Sequence, residues 1–175
     1  MKSLAILTGI TLLLFGALPG SSETISPGPL SIEGLTEAAK MVVIGAVAGV
    51  HSYWTDDKSI ILTRIEVDVE ETLKDSAPAG ARVNVILLGG KVGAISGSVA
   101  GTPSFKQGER VLVFLSERRD GSLGILGLFQ GKFSIQRDPK TGGEIAVRTM
   151  PDSEAVIDRV PLHQARSQIL RALGR

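Results

Sequence analysis

A strict alternation of charged and apolar residues constrains the fold more than any other feature of this sequence. In 61–70 (ILTRIEVDVE), charged residues alternate with Ile65, Val67 and Val69. Successive side chains of a β-strand point to opposite faces, whereas a helix would scatter this pattern around its axis. We therefore predict a β-strand with Val67 in a core and Glu66 facing water.

Further strand signals follow along the chain at short intervals. The β-branched apolar run 41–50 (MVVIGAVAGV) predicts a buried strand, and 111–115 (VLVFL), apolar on both faces, predicts a central strand. Shorter strands are predicted at 83–87, 125–128, 132–136 and 145–147. About six to eight short strands separated by turns predict a mainly β fold, a small OB-like β-barrel.

Helices are predicted only near the two ends of this barrel. Ser31 can cap a short N-terminal helix that carries Leu35 and Ala39 on its apolar face. Pro161 can begin a C-terminal amphipathic helix, because proline suits the first helical turn. Its apolar face consists of Leu162, Ala165, Ile169 and Leu173.

The first residues have the pattern of a secretory signal peptide. Lys2 precedes an uncharged apolar run at 4–18, and the small residues Gly20 and Ser22 predict cleavage before Glu23. An uncleaved membrane anchor is the alternative, but a spanning helix needs about 20 apolar residues. We expect a protein that is secreted or periplasmic in a bacterial envelope, with no stable membrane anchor after cleavage.

These signals divide the chain into four parts. Residues 1–22 are the predicted signal peptide and 23–30 an extended lead-in with two prolines. Residues 31–150 are predicted to form the OB-like barrel domain. The C-terminal segment 151–175 carries the amphipathic helix.

Composition narrows the possible chemistry. The chain has no cysteine, which excludes disulfides, thiolate metal ligands and a cysteine nucleophile. His51 and His163 lie far apart and outside any metal-ligand motif, so we predict no metal and no cofactor. The 19 basic and 18 acidic residues balance, which does not favour binding to nucleic acid.

A glycine-rich segment is the strongest candidate for a binding site. Residues 89–101 (GGKVGAISGSVAG) contain five glycines, which predicts a loop or an irregular edge. Neither a phosphate-binding loop nor a hydrolase nucleophile motif matches it. Its exposed backbone could pair with an extended peptide. The predicted partner-binding residues are Gly93, Ser96, Gly97, Pro103, Phe105 and Trp54.

Two of these residues have an alternative structural role. Phe105 is an apolar anchor for the partner if it is exposed, and a plug in one end of the barrel if it is not. Trp54, which we place with Tyr53 in a loop at 53–59, is likewise either a binding residue or a plug.

The acidic residues of the alternating strand also have two interpretations. Glu66, Asp68 and Glu70 lie about 6 to 7 Å apart along one face, a spacing known from glycoside hydrolases. A sugar-binding cleft needs aromatic platforms, and the chain has one Trp and one Tyr. We favour a solvated face that is neutralised by basic residues on a neighbouring strand.

The order of these segments resembles a known group of proteins. Residues 101–115 read Gly-x-Pro-x-Phe-x-x-Gly-Glu-Arg-Val-Leu-x-Phe-Leu and are followed by Gly131-Lys132-Phe133. This pattern resembles a widespread family of small secreted bacterial proteins. In strand order and in the turn at 72–75, that family is similar to the OB-like barrels of netrin-like domains and tissue inhibitors of metalloproteases.

The resemblance implies a fold and a link to proteolysis. Related segments accompany matrixin-like metalloproteases, so an extracytoplasmic protease is an implied partner. Those inhibitors reach the catalytic zinc through an N-terminal cysteine, which this chain lacks. The implied fold is unaffected by that loss, but the inhibitory mechanism does not transfer.

These observations together predict a non-catalytic extracytoplasmic module that binds a protein or peptide. The first alternative is an envelope structural or assembly component that oligomerises through barrel edges or the terminal helix. An enzyme is the third possibility, because no convergent catalytic set is visible.

Overall fold

The computed structural model describes residues 29–75, 77–151, 153 and 155–175. The predicted signal peptide 1–22 and all but the last two residues of the lead-in 23–30 lie outside this part of the chain. The strands are β1 (Met41–Trp54), β2 (Ile61–Lys74), β3 (Arg82–Leu88), β4 (Gly90–Val92), β5 (Ile95–Gly97), β6 (Arg110–Glu117), β7 (Leu123–Ile125), β8 (Lys132–Arg137), β9 (Glu144–Thr149) and β10 (Val156–Pro161). The helices are α1 (Ile32–Ala38), α2 (Leu162–Ala172) and a short 3-10 helix (Leu128–Gly131).

The protein is mainly β and contains a closed five-stranded β-barrel, as the sequence predicts. The barrel follows the order β1, β2, β3, β7, β6 and closes where β6 pairs with β1. Neighbouring strands are antiparallel except at β3 and β7, which meet in parallel at Val85 and Leu123. Beyond the barrel, β6 pairs with β8, and β9 and β10 extend that side of the sheet.

Irregular pairing between the two longest strands bends them around the barrel. The register of β1 against β2 shifts after Val42, after Ile44 and again between Val47 and Gly49. Such bulges increase the local twist, which lets a strand pair curl into a closed sheet. Trp54 belongs to this strand pair, opposite Ile61, so its predicted place in a loop is wrong.

The apolar residues form two cores, and strand β6 supplies both. Val111, Val113 and Leu115 lie inside the barrel with the inward residues of β2 and β3. Leu112 and Phe114 point to the other side, where they pack with α1 and α2. A strand with a core on each face has to be apolar throughout, which confirms the predicted central strand.

Both predicted helices are present and cover the outer core. The Ser31 hydroxyl caps α1 by accepting a hydrogen bond from the Gly34 N–H at 3.1 Å. Helix α2 buries Leu162, Ala165 and Ile169 of the predicted apolar face, and Leu173, which follows the helix, packs partly buried against the same core. No helix in the described part of the chain has the length and apolarity needed to cross a bilayer.

The alternation in β2 has the predicted orientation. Val67 is 0% exposed inside the barrel. On the opposite face, Arg82 of β3 donates to Asp68 at 2.7 Å and to Glu66 at 3.2 Å. The hydrogen bond from Arg82 holds the pKa of Asp68 below its usual range. The acidic face is therefore paired with basic groups of neighbouring strands, as we favoured from the sequence.

The C-terminal segment contains a strand that the sequence analysis missed. Strand β10 pairs with β9, so the sheet continues past residue 150. Its residues VIDRVP include the charged pair Asp158 and Arg159 and end in Pro161, a composition typical of an edge strand rather than a core strand. The Arg148 guanidinium connects this strand to the rest of the sheet, donating to Asp158 at 3.2 Å and to the Leu30 carbonyl at 2.8 Å.

Candidate functional site

The first half of the glycine-rich segment forms a short β-hairpin rather than a loop. Strands β4 and β5 pair antiparallel, with Lys91 opposite Ser96 and Val92 opposite Ile95. Gly93 has a φ of +62° at the first position of the connecting turn, which a type II′ hairpin turn requires. Of the two predicted alternatives, a loop or an irregular edge, this part of the segment is an edge element, and its two strands pair regularly.

The base of this hairpin is fixed to the barrel. The Gly89 N–H donates to the Ile61 carbonyl at 2.8 Å, and the Gly89 carbonyl accepts from the Thr63 hydroxyl at 2.7 Å. Thr63 is held in turn by Ser52 of β1 at 2.9 Å. These bonds give the hairpin a defined position over one end of the β1–β2 pair.

A groove of about 370 Å³ separates the hairpin from the segment that returns to the barrel. We call it the hairpin groove. Its floor includes the buried barrel residues Ile65 and Leu87, and its rim includes the exposed apolar side chains of Val50, Leu88 and Val99. The groove therefore offers apolar contacts to a ligand that lies beside the hairpin.

One edge of β5 faces away from its partner strand. All three residues of β5 are exposed, and Ile95 is 56% exposed. In an antiparallel pair, alternate residues direct their N–H and C=O to the partner and the residues between direct theirs outward. Because Val92 and Ile95 close the two-residue turn, this rule places the N–H and C=O of Ser96 on the open edge.

The structure brings some of the predicted binding residues together and separates others. Gly97, Pro103 and Phe105 line the hairpin groove, while Gly93 and Ser96 lie on the hairpin itself. Trp54 ends β1 and is not among the described residues that line the groove.

Phe105 is not exposed, which was the condition for its being an apolar anchor for a partner. It is 9% exposed and packs in the barrel core with Val111 and Ile125. Its ring also lies 5.2 Å from the Lys132 ammonium. The structure therefore favours the alternative in which Phe105 closes one end of the barrel.

A second concave site adjoins the hairpin groove. This cleft has a volume of about 300 Å³ and shares Pro103, Ser104 and Pro151 with the groove. We call it the Lys132 cleft, since Lys132 lies in it with Ser134, Glu109, Lys106 and Arg159.

A hydrogen-bonded cluster forms the polar wall of the Lys132 cleft. The Lys132 ammonium donates to Glu109 Oε1 at 2.5 Å and to the Ser134 hydroxyl at 2.8 Å. Ser134 donates in turn to Glu109 Oε1 at 2.6 Å, and Glu109 Oε2 accepts from the Lys106 backbone N–H at 3.1 Å. The cluster joins β8 to Glu109, the residue before β6, and holds the lysine in one position.

Sequence reasoning did not assign this cluster. Lys132 and Ser134 are two residues apart in a predicted strand, a spacing that places them on one face. Glu109 lies far away in sequence, and only the pairing of β6 with β8 brings it to them. The signal available in the sequence was a lysine and a serine two residues apart in a predicted strand.

The described residues contain no group of three or more His, Cys, Asp or Glu side chains that could hold a metal ion. His51 and His163 lie on different elements, β1 and α2. In the described part of the chain, the open β5 edge, the hairpin groove and the Lys132 cleft adjoin one another and together offer a surface for binding.

Comparison of the chain with models of protein families, with curated proteins and with solved structures finds no match in any of the three. The resemblance to netrin-like barrels and metalloprotease inhibitors therefore stays a prediction from the sequence.

Proposed function

We propose that the protein is a non-catalytic module that binds an extended peptide of a partner protein along the open edge of β5. The observation that carries this proposal is the combination of an exposed, uncharged edge strand with an apolar groove beside it. Strand addition uses such an edge for main-chain hydrogen bonds and adjacent pockets for alternate side chains of the peptide.

Strands β5 and β10 each pair with a neighbour on one side only, and they differ in how the other edge is protected. Soluble proteins usually protect edge strands with charged residues or proline, because an unprotected edge pairs with other chains. Strand β10 carries Asp158, Arg159 and Pro161, so it has both devices. Strand β5 reads Ile-Ser-Gly and has neither. This difference supports β5 as the edge that is open for a partner.

The apolar surface near β5 suits the side chains of an extended peptide. Val50, Leu88 and Val99 are exposed on the rim of the hairpin groove. Side chains of a strand alternate between two faces, so every second residue of a peptide paired with β5 could enter the groove. Burying one aliphatic side chain there contributes about 1.5 to 3 kcal/mol.

The proposal includes an extracytoplasmic location and partner. The signal-peptide pattern at 1–22 supports export, and the resemblance to protease-associated barrels supports a secreted protease as one partner. In the alternative function, an envelope assembly component, the edge of β5 would pair with β5 of a second copy of the protein.

We expect Ser96→Pro to weaken peptide binding at least about tenfold, because proline removes the outward N–H and places its ring on the open edge. The hairpin should keep its fold, since Ser96 makes no ladder hydrogen bond to β4. The control is Ser96→Ala, which keeps the N–H and should bind like the unchanged protein. The measurement uses peptides selected from a random decapeptide library with free C-termini, followed by fluorescence-polarisation titration.

Two results would contradict strand addition. One is a selected peptide that binds the Ser96→Pro and Ser96→Ala variants equally well. The other is a library that yields no binder while the protein forms dimers that Ser96→Pro dissociates, which would support the assembly role. Sedimentation of each variant across a concentration series distinguishes these cases.

The proposed export predicts where the mature protein begins. We expect the secreted protein to begin at Glu23, because Gly20 and Ser22 satisfy the small-residue rule for signal cleavage. Intact-mass analysis of material from a bacterial host tests the position. A mature chain that retains residues 4–18 would instead support the membrane-anchor alternative.

A further inference from the structure

We infer that the Lys132 cleft binds a carboxylate of the peptide that pairs with β5. This inference rests on the proposed function, because it names the chemistry of the ligand at an adjoining part of the same site. The geometry that points to it is a cationic cleft that opens next to the hairpin groove and shares Pro103, Ser104 and Pro151 with it.

Lys132 is buried, and hydrogen bonds hold its ammonium in place. Its residue is 9% exposed, and the ammonium donates to Glu109 and Ser134. A lysine ammonium has three N–H donors, so one is left without a hydrogen-bond partner among the described residues. A donor that is fixed in position and shielded from water interacts more strongly with an anion than a flexible surface lysine does.

Basic side chains outnumber acidic ones among the described residues that line the cleft. Lys106, Lys132 and Arg159 line it, against the single carboxylate of Glu109 among the described lining residues. Both oxygens of Glu109 already accept hydrogen bonds from the protein. Hydrogen bonds from the Lys140 backbone N–H and the Thr141 hydroxyl lower the pKa of Asp138, and the charge of Arg159 adds to this shift, but Asp138 does not line the cleft. Among the described lining residues, an added anion would therefore meet an excess of positive charge.

The Lys132 cleft also has an apolar wall, which selects the kind of anion that fits it. Phe129, Met150 and Val156 line the cleft beside the cationic groups. A carboxylate attached to an apolar residue would match both surfaces at once, whereas a free inorganic anion would leave the apolar side chains uncovered. A volume of about 300 Å³ is small, and it suits the end of a peptide or one acidic side chain rather than a large ligand.

The hairpin groove and the Lys132 cleft are connected through residues that line both. A peptide that leaves the open edge of β5 beside Gly97 and Ser98 can pass Pro103 and Pro151, which line the groove. The same two prolines line the Lys132 cleft. The carboxylate can come from the C-terminus of the peptide or from an Asp or Glu side chain, and the chemistry recognised is the same.

The test compares forms of one selected peptide. The peptide is synthesised with a free C-terminus, with a C-terminal amide, and with each Asp or Glu replaced by Asn or Gln. We expect loss of the recognised carboxylate to weaken binding about tenfold, and the form that shows this loss identifies the source. Each dissociation constant is measured by isothermal titration with the purified protein.

Variants of the cleft then assign the effect to its residues. Arg159→Gln and Lys106→Gln remove exposed positive charges, and each should weaken binding of the carboxylate form about fivefold without changing binding of the neutral form. The control is Lys40→Gln, an equal change of charge on a side chain that is 55% exposed and does not line the cleft. It should leave both forms unaffected.

The outcomes separate this inference from the proposed function. Equal binding of all peptide forms, or a carboxylate preference that survives both cleft variants, overturns the inference. If Ser96→Pro still weakens binding in that case, strand addition at β5 stands without the carboxylate site. If Ser96→Pro has no effect, the proposed function fails and the inference fails with it.

Discussion

Replacing Val67 with aspartate is expected to leave the protein unfolded. Val67 is 0% exposed inside the barrel, opposite Val47 of β1 and Val83 of β3. An uncompensated charge in a protein interior costs about 3 to 5 kcal/mol. The lost burial of valine adds about 1.5 to 3 kcal/mol. This loss is comparable with the total stability of a typical domain, about 5 to 15 kcal/mol.

Circular dichroism and size-exclusion chromatography of the Val67→Asp variant test this result. The matched control is Val50→Asp, the same change at an exposed position of the neighbouring strand, where we expect a loss of about 1 kcal/mol or less. Cooperative melting of Val67→Asp within a few degrees of the unchanged protein would show that the barrel interior lies elsewhere.

Replacing Gly45 with alanine is expected to destabilise the barrel by about 3 kcal/mol, the upper part of the range for overpacked sites. A Cβ atom at Gly45 would lie 2.3 Å from the backbone carbonyl oxygen of Asp68 and 2.8 Å from a methyl group of Val67. The carbonyl belongs to β2, which pairs with β1 at this point, so the strands would have to separate. We expect the melting temperature to fall by roughly 10 °C.

The control for Gly45→Ala is Gly97→Ala. A Cβ atom at Gly97 would contact no other atom within 4 Å. We expect it to change the free energy of unfolding by less than about 0.5 kcal/mol. Differential scanning calorimetry compares the two variants. Equal melting temperatures would mean that β1 and β2 do not approach as closely at Gly45 as described.

Local sequence patterns were sufficient to predict the barrel strands in which each face has a single environment, either core or solvent. The alternation in β2 separates a core face from a charged face, and the apolar run in β6 reflects a core on each side. Both patterns follow from backbone geometry, so they can be recognised without knowing which strands are neighbours. The Ser31 cap and the apolar face of α2 were equally local.

The features that the sequence did not predict depend on contacts between distant residues or on turn geometry. The types of residue in a segment do not show either of these. The density of glycines in 89–101 indicates a loop or an irregular edge, yet Gly93 at the first turn position is what a regular type II′ hairpin needs. Glu109 reaches Lys132 and Ser134 only because β6 pairs with β8. The loop predicted at 53–59 begins too early: the turn lies at residues 56 and 57, but Tyr53 and Trp54 before it still pair with Leu62 and Ile61 of β2.

The central claim is that a peptide pairs with the backbone of β5, and the amide of Ser96 reports on that pairing directly. Hydrogen exchange of the backbone amides, followed by NMR with and without a saturating selected peptide, measures it. The account predicts that the Ser96 amide exchanges freely in the unbound protein and becomes protected when the peptide binds, while the amides of β10 do not change. Rapid exchange of the Ser96 amide in the saturated complex would contradict it.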